Sequence, residues 1–130
     1  MSKPRQYVSE DRPSGLYLHD MLDACEKIVA YTTGMDQAAF LGDGRTYDAA
    51  LRNLIVLGEA AAHVSNTIRT GHPEIPWRDI IGARNRIIHA YIGIDDDLIW
   101  IMVQRSVPGL IPQLHAVLAE AEGRDPADPS

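Results

Sequence analysis

The chain has 130 residues, 45% of them hydrophobic and 6% aromatic, with a net charge of −6 from 18 acidic and 12 basic residues. That length suits one domain with a real core, and the apolar content is carried by Ala, Leu and Ile. The single cysteine, Cys25, excludes an internal disulfide, and the acidic balance argues against a general nucleic-acid binder. No apolar run approaches the roughly 18 residues of a membrane span, and the N-terminus lacks a signal-type apolar core. A cytoplasmic protein is expected.

Residues 1–14 hold Pro4 and Pro13 among polar side chains and read as a flexible lead. The first helix is expected from an N-cap at Ser14 to about Thr32, with an apolar stripe of Leu18, Met21, Leu22, Cys25, Ile28 and Val29, and a stop at Gly34. Cys25 lies inside that stripe and reads as a small buried hydrophobe. A short helical piece follows from Asp36 to Leu41, then the turn Gly42–Asp43–Gly44. The longest helix is expected from about Thr46 to Arg69, one face carrying Tyr47, Leu51, Leu54, Ile55, Gly58, Ala61, Ala62, Ser65 and Ile68. Gly58 and the alanines after it are small enough to let a neighbouring helix approach closely. Arg52, Val56, Glu59 and His63 lie on the other side, and the valine suggests that this side is also covered.

Gly71 and Pro73 end that helix, and Pro76 opens the next, with Trp77 as an anchor, Asp79 in the first turn and Gly93 at the end. Asp95, Asp96 and Asp97 read as the start of a fifth helix in preference to a metal site, because the stripe Leu98, Ile101, Met102 begins at once. Pro108 should break or kink that helix or start a new one, with Pro112 in its first turn. Leu110, Ile111, Leu114, Val117, Leu118 and Ala121 continue the apolar face. Residues 123–130 are polar, hold two prolines and read as a flexible tail. The fold class is all-α: an antiparallel bundle of four to five helices over residues 15–122.

Common chemistries are missing. There is no phosphate-binding glycine loop and no glycine fingerprint after a strand. His19, His63, His72, His89 and His115 lack metal-ligand spacing, and Ser65 and Ser106 have no elbow around them. No metal and no cofactor are expected. The cations, however, are patterned: Arg69, His72, Arg78, Arg84, Arg86 and His89 gather in one stretch, opposed by Glu74 and Asp79.

Within that stretch stands GARNRIIHAYIG, Gly82 to Gly93. Ile80, Ile81, Ile87 and Ile88 recur at helical spacing, and Arg84 falls in the arc of Ile80, Ile87, Ile88 and Tyr91. Asn85 and His89, four apart, share a different side. Arg84 and His89 are about 140° apart and roughly 7.5 Å along the axis, so one helix does not readily aim both at one small group. Two copies around a two-fold axis could build a composite cleft. There, His89 could move a proton near neutral pH, Arg84 could hold a phosphate and its developing charge, and Asn85 could orient either. Those parts suffice to cleave RNA through its 2′-hydroxyl. Each residue also has an ordinary reading: a snorkelling arginine, a capping histidine, a packed tyrosine. Spacing leaves the choice open.

The pattern of Arg84, four residues of which Asn85 is the first, His89, one residue and Tyr91 resembles the signature of the HEPN superfamily and, within it, the HepT-like toxins. Tyr17 to Thr32 resembles that family's first helix, Arg52 to Ser65, including Glu59, its central helix, and Arg84 to Trp100 its motif helix and the start of the next. The resemblance implies a homodimeric helical ribonuclease with a metal-independent site at the interface between motif-bearing helices. It makes Arg84 the phosphate-binding residue, His89 the acid–base and Asn85 a polar support, with Arg86 and Glu59 as further supporting candidates. It also implies a type VII toxin–antitoxin pair, in which a minimal nucleotidyltransferase of the MntA type transfers AMP to the motif tyrosine, here Tyr91. RNA is the implied substrate, with tRNA one candidate target. A non-catalytic HEPN module that binds a nucleotide or docks to the transferase is the alternative. The acidic net charge favours a specific target over broad RNA degradation.

Overall fold

The computed structural model describes residues 12–90 and 93–123. The elements are α1 (Ser14–Thr32), α2 (Gln37–Gly42), α3 (Gly44–His63), α4 (Asn66–Gly71), α5 (Trp77–His89), α6 (Asp96–Ile101), a π-helical turn (Met102–Ser106) and α7 (Val107–Ala121). No strand occurs among the described residues, and the bundle is all-α as expected. Helix α3 lies between α1 and α5, while α1 also packs on α7, so the long helices neighbour one another in the order α5, α3, α1, α7.

The first helix follows its periodicity. Leu18, Met21, Cys25 and Ile28 are fully buried, and burial pushes the Cys25 thiol up to about 12. Gly34, at φ +81°, takes the left-handed conformation that ends the segment. Its start differs from expectation. Pro13 holds the N-cap position, and Ser14 is the first helical residue. The Ser14 hydroxyl instead accepts the backbone N–H of Ser65 at 2.9 Å, which ties the start of α1 to a break after α3.

That break is the main departure. One helix was expected to run through to Arg69, but α3 stops at His63 and Val64 turns extended, at φ −68° and ψ 139°. Ser65 then caps α4, accepting the N–H of Ile68 at 3.3 Å. A serine hydroxyl competes for backbone donors and favours a cap over a helix interior. Val64, only 2% exposed, gains a core position by leaving the helix. The buried residues of α3 are Ala50, Asn53, Leu54, Leu57, Gly58, Ala60 and Ala61, a wider and rotated set relative to the expected face. The cause is the sandwich: α3 has α1 on one flank and α5 on another, so no single stripe describes it. Asn53 is accommodated because its amide donates to the Ala49 carbonyl at 2.9 Å.

Helix α5 starts after Pro76, with Trp77 buried and its indole N–H donating to the His72 carbonyl at 3.0 Å. It ends at His89 and not at Gly93; Ala90 already has non-helical angles. Ile87 is the last buried residue of α5. Asp95 caps α6 through the N–H groups of Asp97 and Leu98. Asp96 accepts the Tyr47 hydroxyl and Asp97 the Gln37 amide, each at 2.5 Å, so all three carboxylates are structural partners. Pro108 sits in the first turn of a new helix, one of the outcomes expected of it. It enters α7 directly after the π turn, and Pro112 lies inside that helix. Proline lacks an N–H and clashes with the carbonyl four residues before it; the wider turn opens that position. Val107, Leu110, Leu114, Val117 and Leu118 then bury the expected face, while Ala121 is exposed. Among the described residues no helix is long and apolar enough to cross a membrane.

Candidate active site on helix α5

Helix α5 crosses α3 at Gly58. A Cβ built there would lie 2.3 Å from the Arg84 Cβ and 3.0 Å from the Ile80 carbonyl oxygen, so only glycine permits this approach. Ile80 and Ile87 are buried on the same flank and fix the rotation of α5. Arg84 is thereby pressed against α3, its side chain 20% exposed. Its Nη1 donates to the Glu59 carboxylate at 2.8 Å, and its Nε is buried with no hydrogen-bond partner. The guanidinium is held at Nη1 and its Nε is shut in, so only the remaining Nη donors could serve a ligand. The geometry gives Glu59, a supporting candidate by resemblance, a definite contact: it is the counterion of Arg84.

Asn85 and His89 are exposed, and their four-residue spacing sets them on one side of α5. His89 is the last helical residue, and its side chain makes no hydrogen bond or ion pair among the described residues. Arg86 is exposed and faces away from Arg84, lining the cleft between α5 and the α6–π-turn segment with Ala83 and Met102. Tyr91 lies outside the described residues. So Arg84 and Glu59 come together, Asn85 and His89 share a neighbouring side, and Arg86 does not join them. Ile88, 43% exposed, borders Arg84 and leaves that flank of α5 partly apolar. Among the described residues no group of three His, Cys, Asp or Glu side chains is placed to hold a metal ion.

Two further cations adjoin the site. Arg69 from α4 and Arg78 from α5 line a groove of about 730 Å³ with Asn85 at its edge. The sequence showed them only as members of a basic stretch; their convergence needs the α3–α4 break, which turns Arg69 toward α5.

The all-helical bundle, with Arg84, Asn85 and His89 on one helix, accords with the HEPN-type domain that the sequence resembles. The sequence profile described as ribonuclease HepT-like matches residues 21–117, and the chain belongs to that family. Over 94 residues it is 38% identical to the probable ribonuclease HepT of Thermococcus cleftensis, covering 72% of this chain and 86% of the relative. Two Methanocaldococcus jannaschii proteins named as candidate RNases are each 32% identical. One match covers 84% of this chain and 90% of the relative, and the other 78% and 93%. No solved structure matches the chain at a significant level.

Proposed function

We propose that this chain is an endoribonuclease toxin that acts as a homodimer and cleaves RNA without a metal at a composite interface site. The observation that carries the reading is the division of labour on α5. Arg84 is fixed against Gly58 and Glu59 with donors to spare, while Asn85 and His89 stand unencumbered on the next side. In the dimer, Arg84 of one copy and His89 of the other face one phosphate. One histidine takes the proton of the 2′-hydroxyl, whose oxygen then attacks the phosphorus. The partner's imidazolium protonates the departing 5′-oxygen, and the arginines stabilise the phosphorane. The products are a 2′,3′-cyclic phosphate and a free 5′-hydroxyl. Ile88 supplies apolar area for the interface.

Control rests on Tyr91, two residues beyond His89. AMP transferred from ATP to its hydroxyl by a cognate nucleotidyltransferase antitoxin, with pyrophosphate leaving, adds bulk and negative charge beside a site that must admit a phosphate. A tRNA target accords with an acidic protein that cannot rely on non-specific attraction.

The test incubates the purified protein with total tRNA in excess EDTA, alongside Arg84→Ala and His89→Ala. Wild type should cleave, and each variant should lose about 10²–10⁴ in rate while staying folded and dimeric. Cleavage by both variants at the wild-type rate would sink the assignment. A non-cleaving, non-toxic wild type found bound to a transferase would favour the docking module.

A further inference from the structure

Arg78, Ile81, Gly82, Asn85 and His89 recur at three- and four-residue spacing. They form one stripe on the outer side of α5, roughly 16 Å long at about 1.5 Å per residue. Arg69 reaches the N-terminal part of that stripe from α4, and the two arginines line the groove that ends at Asn85. Asp79 is the one carboxylate lining it.

The state of Arg69 is unusual for this protein. Among the described residues three arginines are less than exposed: Arg12, Arg69 and Arg84. Arg12 is paired with Asp20 at 2.7 Å and Arg84 with Glu59 at 2.8 Å. Arg69 has no carboxylate, and its Nε is buried without a hydrogen-bond partner. Arg69 and Arg84 hold the two orphaned buried side-chain donors among the described residues, the first on α4 in the groove beside α5 and the second on α5 itself. A guanidinium partly withdrawn from water with no anion is costly, and an anionic ligand relieves that cost. The groove is also open where it must be: a Cβ built on Gly82 would meet nothing within 4 Å.

We infer that the Arg69–Arg78 groove is a substrate subsite that holds the phosphodiester backbone of the RNA strand flanking the scissile phosphate, with Asn85 at the junction between subsite and active site. This rests on the ribonuclease reading and deepens it. On a protein of net charge −6, a local pair of arginines facing the single carboxylate of Asp79 leaves a cationic excess that draws a polyanion to one side of one helix. Asn66 on the groove wall adds a neutral donor.

The full-length protein carrying His89→Ala is titrated with a short fluorescent single-stranded RNA over a range of salt, and cleavage kinetics are measured with His89 intact. Arg69→Gln and Arg78→Gln should each raise KM about tenfold with kcat retained. Each should lower the slope of log affinity on log salt by about 0.7, the loss of one phosphate contact on a single strand. Arg105→Gln, an equal charge change on the π turn, should alter neither. Arg78 is exposed, so Arg78→Gln carries the test even where Arg69→Gln lowers Tm, and Arg69→Lys should restore most of the slope. Unchanged KM and slope in both glutamine variants, or an equal loss in Arg105→Gln, overturns the subsite. Displacement of the RNA by poly-glutamate at matched charge would assign the groove to an acidic protein and overturn it as well. The ribonuclease reading is tested separately by whether His89→Ala stops cleavage.

Discussion

Helices α1 and α5 have similar apolar patterns and opposite uses. Helix α1 buries Tyr17, Leu18, Met21, Leu22, Ala24, Cys25 and Ile28 between α3 and α7. Helix α5 buries Trp77, Ile80 and Ile87, and exposes Asn85, Arg86, Ile88 and His89. The first is held by area on two flanks, the second by one close crossing. A helix anchored on one side keeps a free surface for chemistry, while the α1–α3–α7 packing carries the stability that makes this possible.

Breaking the packed half should have the largest effect. Leu54→Ala, at a side chain 2% exposed, should lose about 2–5 kcal/mol in denaturant titration. Activity should then disappear with folding, and a native-like Tm would mean that the core lies elsewhere. Next comes the crossing. Gly58→Val puts a side chain where the Arg84 Cβ and Ile80 carbonyl already stand, and should cost about 1–3 kcal/mol while tilting α5 out of its seat. Full cleavage by a stable Gly58→Val protein would refute the idea that this contact positions Arg84.

Glu59→Gln sharpens the comparison. The carboxylate is 54% exposed, so stability should change by less than about 1 kcal/mol. Cleavage should nonetheless fall about tenfold as Arg84 loses its charged partner, and equal rates would reduce the pair to a surface contact. Gly82→Ala should be the mildest. Its methyl enters open space and removes a helix-interior glycine, so thermal stability should rise by up to about 1 kcal/mol.

Much of this was legible locally. The stripe Leu18, Met21, Cys25, Ile28 predicted the face that α1 buries, and Asp95 was legible as a cap, although the stripe read after it was out of register: Ile99 and Val103 are buried while Ile101 is 47% exposed. The small Gly58 foretold a close helix, though not that its neighbour would be Arg84. Three features were not legible. Ser14 looked like a cap and is a bridge to Ser65, because a hydroxyl serves whichever orphan N–H the fold brings near. The Val64–Ser65 break was hidden because its apolar period continues straight through it. The π turn before Pro108 was one of several ways to seat a proline, and packing chose among them.

The sequence by itself determined the all-α class and the helices with strong periodicity, because burial at a 3.6-residue repeat needs nothing beyond the chain's own order. It also set Arg84, Asn85 and His89 on one helix at spacings that separate their directions. Tertiary structure alone decided that Arg84 is pinned by Gly58 and Glu59, and that Arg69 comes from another helix into the groove that Asn85 also lines, with no carboxylate paired to it. Those contacts depend on how α3, α4 and α5 cross, and a crossing is fixed by two surfaces at once.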